Sequence, residues 1–173
     1  MMRAIAVLLA SCAVLLSAAA QTTPSVEEMV EKLAKPAATG SRPTTRGLRN
    51  LTVEAAAAPA PKPSLSLLIQ FDFDSARVKP ESQEALANLS QALQTTALAD
   101  SRFAVEGHTD AKGAAEYNLR LSQQRAEAVR DFLKGHGVAQ ERLVAAGKGA
   151  SELANAAEPF AAENRRVRIV NLD

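Results

Sequence analysis

An aspartate and an arginine that lie fifteen positions apart form one pair of side chains whose types suit the binding of opposite charges. Asp110 lies in a polar loop after an alternating apolar segment, and Arg125 lies on a predicted helix. A carboxylate accepts hydrogen bonds from an ammonium group, whereas a guanidinium can pair with a carboxylate in a bidentate way, which lysine cannot do. Asn118 and Leu121 precede Arg125 by seven and four positions, so the three residues share one side of a helix. This spacing predicts a groove beneath the Asp110 loop.

Both charged residues also have a purely structural interpretation. An aspartate after a strand is often a turn residue or a helix cap. An arginine on a partly apolar helix face is often a surface ion-pair residue whose aliphatic part covers apolar surface. The binding hypothesis requires that the side chains of Asp110 and Arg125 reach the same cleft.

The remaining polar residues do not indicate catalysis or metal binding. His108 and His136 are the only histidines, and no third ligand accompanies them at a metal-binding spacing. The chain contains no Gly-x-Ser-x-Gly motif, which positions the nucleophile in many hydrolases. We therefore predict no catalytic residue, no metal site and no cofactor.

The first twenty residues have the features of a secretory signal peptide. Arg3 precedes an uncharged, mostly apolar run from Ala4 to Leu16, and the small residues Ala18 and Ala20 suit cleavage after Ala20. The run is shorter than the roughly 20 residues that a membrane-spanning helix needs. We therefore predict that residues 1–20 direct export.

A cysteine in the same region supports a second interpretation. Leu9-Ala10-Ser11-Cys12 resembles a lipoprotein cleavage box, in which Cys12 would become a lipidated first residue and associate the protein with the outer membrane. The apolar run Ala13–Leu16 would then follow, where lipoproteins usually carry a polar segment. If cleavage follows Ala20 instead, the only cysteine is removed and the mature chain has no disulfide.

The charge balance argues against nucleic acid as a partner. Removal of Arg3 with the signal leaves 19 of the 20 basic residues beside 19 acidic ones. Nucleic-acid binding depends on an excess of Lys and Arg that neutralises phosphates, and this chain has none to offer.

Residues 21–63 are predicted to be a flexible tether that contains one short helix at Val26–Ala34, where apolar residues recur at helical spacing. The end of the tether is rich in alanine and has proline at positions 59, 61 and 63, which favours an extended spacer. The domain boundary is predicted near Ser64, and residues 64–173 form one domain.

The pattern beyond Ser64 alternates strands with helices. The first strand is predicted where Leu65, Leu67, Ile69 and Phe71 alternate with more polar positions. Helices follow at Pro80–Gln94 and Ala115–Lys134, and further strands at Arg102–Gly107, Arg142–Gly147 and Val167–Leu172. Residues 151–164 are predicted to be a loop with a helical turn. The order predicts an α+β fold of βαβαβ type, a two-layer sandwich in which a mixed sheet of about four strands carries its helices on one face.

Three blocks of residues occur in a characteristic order in this domain. They are Phe71-Asp72-Phe73-Asp74-Ser75-Ala76, then Val105-Glu106-Gly107-His108-Thr109-Asp110-Ala111-Lys112-Gly113 leading through Tyr117-Asn118 and Leu121-Ser122 to Arg125-Ala126, and finally Asn164-Arg165-Arg166-Val167. Together they resemble the OmpA-like C-terminal domain family, which includes peptidoglycan-associated lipoproteins and the periplasmic domains of flagellar stators.

This resemblance implies a periplasmic, non-enzymatic module that binds peptidoglycan and links the cell wall to the envelope. The implied ligand is the diaminopimelate of the stem peptide, whose ammonium and carboxylate would be held by Asp110 and Arg125. Asn118 and Leu121 would shape the groove, the Phe73-Asp74 loop would close it, and Arg165 would support it. The alternative function is an interaction module in which an envelope protein occupies the same groove.

Overall fold

The computed structural model describes residues 23–35, 61–72 and 74–173. The helices and strands in these ranges are, in chain order, α1 (Val26–Leu33), β1 (Ser64–Leu67), α2 (Pro80–Leu93), β2 (Phe103–His108), α3 (Ala115–Gly135), β3 (Leu143–Gly149) and β4 (Val167–Asn171). One-turn 3-10 helices lie at Gln140–Arg142 and Ala162–Asn164. All but β1 agree with the predicted elements to within two residues at each end.

The first strand is shorter than the alternation predicts. It ends at Leu67, and Phe71 forms an isolated antiparallel bridge with Val78 instead. Between these two residues Asp74 has a φ of 51°, a left-handed conformation that aspartate adopts more readily than most residues. Ile69 is buried although it lies outside the strand. The alternation therefore predicted burial correctly at this position, but not strand pairing.

The four strands form one mixed sheet in the order β1-β4-β2-β3. β4 is antiparallel to both β1 and β2, whereas β2 and β3 are parallel. Parallel neighbours need a long crossover, and α3 supplies it. α3 packs on β2 and β3, and α1 packs on β1 and β4. The α+β prediction is confirmed. None of the helices described has the length and apolar character needed to cross a bilayer.

The core lies between the sheet and the helices, and it is largely aliphatic. Side chains of successive strand residues point to opposite faces, so alternate residues of β2 and β4 face α2 and α3. The fully buried residues of these four elements include Leu86, Leu89, Leu93, Phe103, Val105, Val129, Leu133 and Ile169.

The helix α1 packs on this core. Met29 and Leu33 are fully buried, because a short amphipathic helix can bury its apolar side against a neighbour. The Nδ2 atom of the buried Asn171 donates a hydrogen bond to the carbonyl oxygen of Leu33 at 3.0 Å. The short helix predicted at Val26–Ala34 is thus present, and it packs on the domain, which the sequence pattern did not predict. The predicted signal at 1–20 and most of the remaining tether lie outside the described residues.

Two glycines allow α3 to lie unusually close to the sheet. A Cβ atom at Gly107 would be 2.1 Å from the carbonyl oxygen of Ser122, and one at Gly147 would be 2.6 Å from the backbone nitrogen of Gln123. In addition, the Oγ atom of Ser122 accepts a hydrogen bond from the backbone nitrogen of Gly149 at 2.9 Å. The first half of α3 is thereby held against the ends of β2 and β3, where the Asp110 loop begins.

Candidate functional site

A groove of about 740 Å³ lies between the loop after β2, the first half of α3 and the loop that precedes α2. Small-ligand sites commonly have volumes of roughly 300–1,000 Å³. Six of the residues predicted for the site line it, namely Asp74, Asp110, Asn118, Leu121, Arg125 and Arg165. Phe73, the seventh, lies outside the described residues. The side chains of Asp110 and Arg125 thus share a cleft, as the binding hypothesis requires.

The carboxylate of Asp110 has two partners from the protein. Its Oδ1 atom accepts a hydrogen bond from the backbone nitrogen of Lys112 at 3.2 Å, and its Oδ2 atom accepts one from Nη1 of Arg165 at 2.8 Å. The side chain of Arg165 is 48% exposed and that of Asp110 is 15% exposed, so Arg165 can turn to solvent when another cation takes its place. A ligand ammonium could therefore replace or share the contact with Arg165.

Asn118 holds the backbone of this loop in place. Its Nδ2 atom donates to the carbonyl oxygens of Asp110 and Lys112, at 3.3 and 3.0 Å. Its side chain is buried at the floor of the groove. These contacts make Asn118 a positioning residue for Asp110, and direct contact with a ligand stays a prediction.

The guanidinium of Arg125 is oriented by two contacts. Its Nε atom donates to the carbonyl oxygen of Ser75 at 3.1 Å, and its Cζ atom lies 4.8 Å from the centre of the Phe71 ring, a cation–π contact. Burial lowers the pKa of Arg125 from its ordinary value, while nearby Tyr117 and Asp110 oppose that shift. Among the residues described, Nη1 and Nη2 have no hydrogen-bond partner. Nη1 and Nη2 are thus available to donate hydrogen bonds to a carboxylate.

Arg165 is positioned by a loop that folds around a buried asparagine. Asn164 is fully buried, and its Nδ2 atom donates to the carbonyl oxygens of Glu158 and Pro159 at 2.9 and 3.2 Å. Its Oδ1 atom accepts from the backbone nitrogen of Asn155 at 2.9 Å. This network holds the segment before β4 so that Arg165 reaches Asp110.

The groove also contains residues that the sequence pattern did not predict. The hydroxyl of Tyr117 donates a hydrogen bond to Asp74, which joins the start of α3 to the loop before α2. This hydrogen bond raises the pKa of Tyr117 above its ordinary value. The partners lie 43 positions apart, so no local spacing indicates the pair. The other lining residues that were not predicted are Phe71, Asp72, Lys79, Thr109, Lys112 and Phe160.

Comparison with known families agrees with this architecture. The model of the OmpA family matches residues 70–167, more than half of the chain. The chain belongs to the OmpA family. Every residue that lines the groove falls inside the matched segment of the OmpA-family domain.

Relatives of the OmpA-family domain include proteins of the cell envelope. The peptidoglycan-associated lipoprotein of Pseudomonas aeruginosa is 39% identical over 98 residues, which cover 56% of this chain and 56% of the lipoprotein. The crystal structure of the peptidoglycan-associated lipoprotein from Burkholderia pseudomallei has a TM-score of 0.51 and 34% identity, over 61% of this chain and 88% of that one. The cell wall anchor of the T6SS from P. aeruginosa has a TM-score of 0.51 and 32% identity, over 64% and 81%. The chain covers between 32% and 56% of the length of three curated relatives that it matches.

Proposed function

We propose that this OmpA-family domain binds the stem peptide of peptidoglycan non-covalently and does not cleave it. Asp110 accepts hydrogen bonds from the ammonium of diaminopimelate, and Arg125 pairs with the carboxylate on the same carbon. The observation that carries the proposal is that these two side chains line one groove, with Nη1 and Nη2 of Arg125 open among the described residues. The names of the related lipoproteins and of the cell wall anchor support peptidoglycan as the polymer.

The remaining groove residues have supporting roles in this proposal. Asn118 holds the Asp110 loop, and Leu121 forms an apolar part of the wall beside Arg125. The hydrogen bond between Tyr117 and Asp74 closes one end of the groove. Arg165 neutralises Asp110 until the ligand ammonium arrives. This division of work needs no nucleophile, metal or acid-base pair, and it fits binding without turnover.

Retention on purified sacculi tests the proposal. Asp110→Ala and Arg125→Ala should each lower the affinity at least about tenfold, because a hydrogen bond to a charged group contributes roughly 1.5–3 kcal/mol. Asp131→Ala and Arg130→Ala are matched controls, since these residues pair with each other on α3 and do not line the groove. Their retention should equal that of the unmodified protein.

The chemistry of the wall supplies a second comparison in the same experiment. Sacculi that contain lysine in place of diaminopimelate lack the carboxylate that Arg125 would bind, so they should retain the protein poorly. Undiminished retention of both groove variants would overturn the charge-clamp proposal. Release of soluble fragments from sacculi would overturn the proposal that the protein is not an enzyme.

The proposed site of action is the periplasm, either as a free protein or as a lipoprotein of the outer membrane. The segment on which this depends, residues 1–20, lies outside the described part of the chain. The mass of the exported protein distinguishes cleavage after Ala20 from lipidation of Cys12.

A further inference from the structure

The positive and negative charges of the side chains that line the groove do not cancel. Three carboxylates face it, and each has a partner. Asp110 pairs with Arg165, Asp74 accepts a hydrogen bond from Tyr117, and the carboxylate of Asp72 lies 3.9 Å from Nε of Arg77.

Two of the cationic side chains in the groove, in contrast, have no partner among the described residues. Lys79 lies at the start of α2 and Lys112 lies in the loop that carries Asp110, so they approach the groove from different segments. Within the described ranges, neither ammonium has an ion-pair or hydrogen-bond partner in the protein. Lys112 is exposed and Lys79 is partly buried. The groove therefore offers positive charge beyond the one guanidinium that a single zwitterion would occupy.

We propose that Lys79 and Lys112 bind a second carboxylate of the stem peptide, and that the groove therefore prefers stems in which this carboxylate is free. The inference rests on the proposed function, because it takes Asp110 and Arg125 as occupied by diaminopimelate. With those two sites filled, the remaining side chains of the groove carry a net positive charge, which favours an anionic group of the same ligand.

Two carboxylates of a stem peptide have the required chemistry. One is the α-carboxylate of the D-glutamate that precedes diaminopimelate, and the other is the terminal carboxylate of the D-alanine that follows it. Amidation of either group removes its charge with little change in shape. Comparison of amidated and free forms therefore separates the effect of charge from the effect of fit.

The test uses the full-length protein and three N-acetylated tetrapeptides of sequence L-Ala-γ-D-Glu-diaminopimelate-D-Ala. One peptide has both carboxylates free, one is amidated on D-glutamate and one is amidated on D-alanine. Titration calorimetry at low ionic strength should show roughly two- to fivefold weaker binding for one of the amidated peptides, the effect expected of a partly exposed ion pair. The difference should shrink in 1 M salt, where the screening length is about 3 Å.

Three lysine variants test whether Lys79 and Lys112 cause the preference for the free carboxylate. Lys79→Gln and Lys112→Gln should bind the free peptide more weakly, and their preference over the amidated peptide should be reduced or lost. Lys79 precedes α2 without capping it through its side chain, so its replacement should leave the fold intact. Lys134→Gln removes the same charge from an exposed position in the last turn of α3, and it should retain the full preference.

The possible outcomes separate this inference from the proposed function. Equal binding of all three peptides would overturn the inference and leave the charge clamp intact. Loss of the preference in Lys134→Gln as well would also overturn it, because net charge rather than the groove would then be responsible. Failure of every peptide to bind would overturn the proposed function together with the inference.

Discussion

Glu106 and Asp110 lie four residues apart, and their side chains are almost equally buried, 13% and 15% exposed, but they differ in the number of charged partners. Glu106 points away from α3. Its oxygens lie 3.5 Å from Nζ of Lys148, 3.8 Å from Nη1 of Arg168 and 3.9 Å from Nε2 of His108. We call the group formed by Glu106, His108, Lys148, Glu152, Arg166 and Arg168 the Glu106 cluster. Asp110, in contrast, has one ion-pair partner among the described residues, the half-exposed Arg165.

The difference between these two regions shows how the same residue types are used for stability and for binding. In the Glu106 cluster two carboxylates share two partly exposed cations, and His108 is buried beside them. Displacement of one of these ions by a ligand would also break its contacts with the others, so the network resists exchange. In the groove Asp110 pairs with the half-exposed Arg165, and Nη1 and Nη2 of Arg125 have no hydrogen-bond partner among the described residues. A ligand therefore has fewer protein contacts to displace in the groove than in the Glu106 cluster.

Gly107→Ala should have the largest effect, because it removes the contact on which both regions depend. Gly107 lies between the Glu106 cluster and the Asp110 loop, and an added Cβ would collide with the backbone of α3. We expect a loss of about 3 kcal/mol or more in the free energy of unfolding, together with loss of sacculus binding. Urea denaturation measures the first effect.

Gly135→Ala is the control for that substitution. A Cβ at Gly135 meets nothing within 4 Å, and this residue ends α3 far from the groove. Its stability should change by less than about 1 kcal/mol. If Gly107→Ala lowered the free energy of unfolding as little as Gly135→Ala, the two regions would not depend on the close packing of α3 on β2.

Acid should destabilise the Glu106 cluster through His108. Burial lowers the pKa of His108 from 6.5 to about 4, and the nearby charge of Arg166 acts in the same direction, whereas Glu152 opposes it. In the unfolded chain His108 is therefore protonated below about pH 6.5, whereas in the folded chain it is protonated only below about pH 4. Stability should fall as the pH falls through this window, by up to about 3 kcal/mol.

A variant without the titrating ring isolates this contribution. The stability difference between pH 7.5 and pH 4.5 should be smaller in His108→Gln than in the unmodified protein, by about 2.5 kcal/mol. Measurement requires urea denaturation of both proteins at each pH. An identical pH dependence in the two proteins would show that His108 does not control acid sensitivity.

Neutralisation of Glu106 or Asp110 should have the smallest effect on stability. It should also show most clearly that one carboxylate serves stability and the other serves binding. Glu106→Gln should cost about 1–2 kcal/mol, because Lys148 and Arg168 lose the more buried of the two carboxylates that they share and keep only Glu152. Asp110→Asn should cost less than about 1 kcal/mol, since Arg165 can turn to solvent. Sacculus binding should show the reverse order, with the loss in Asp110→Asn. Equal losses of stability in the two variants would remove the distinction drawn between the regions.

Much of the fold was predictable because its signals are local. The apolar periodicity of α2 and α3 predicted both helices, and Pro80 marked the start of one of them. The end of β1 was not predictable, since Ile69 is buried by packing and not by strand pairing. The docking of α1 was missed for a similar reason, because its partners on α2, β1 and β4 are distant in the sequence.

The residues of the groove divide in the same way. Asp110, Asn118, Leu121 and Arg125 were predictable, because they lie in one continuous block that resembles the OmpA-like family, and helical spacing places the last three on one side of α3. The contact between Tyr117 and Asp74 and the position of Phe71 under Arg125 were not. Each joins segments more than 40 residues apart, and nothing in either segment specifies its partner.

The amino-acid sequence by itself determined the order of helices and strands, the family resemblance and the residue types at the centre of the groove. Those properties follow from neighbouring residues, and backbone geometry converts spacing into a shared face. Only the tertiary structure decided that the strands follow the order β1-β4-β2-β3, that Arg165 reaches Asp110 and that Glu106 lies among several charged side chains. These properties depend on which distant segments pack together and exclude water, and packing of that kind is a property of the whole fold.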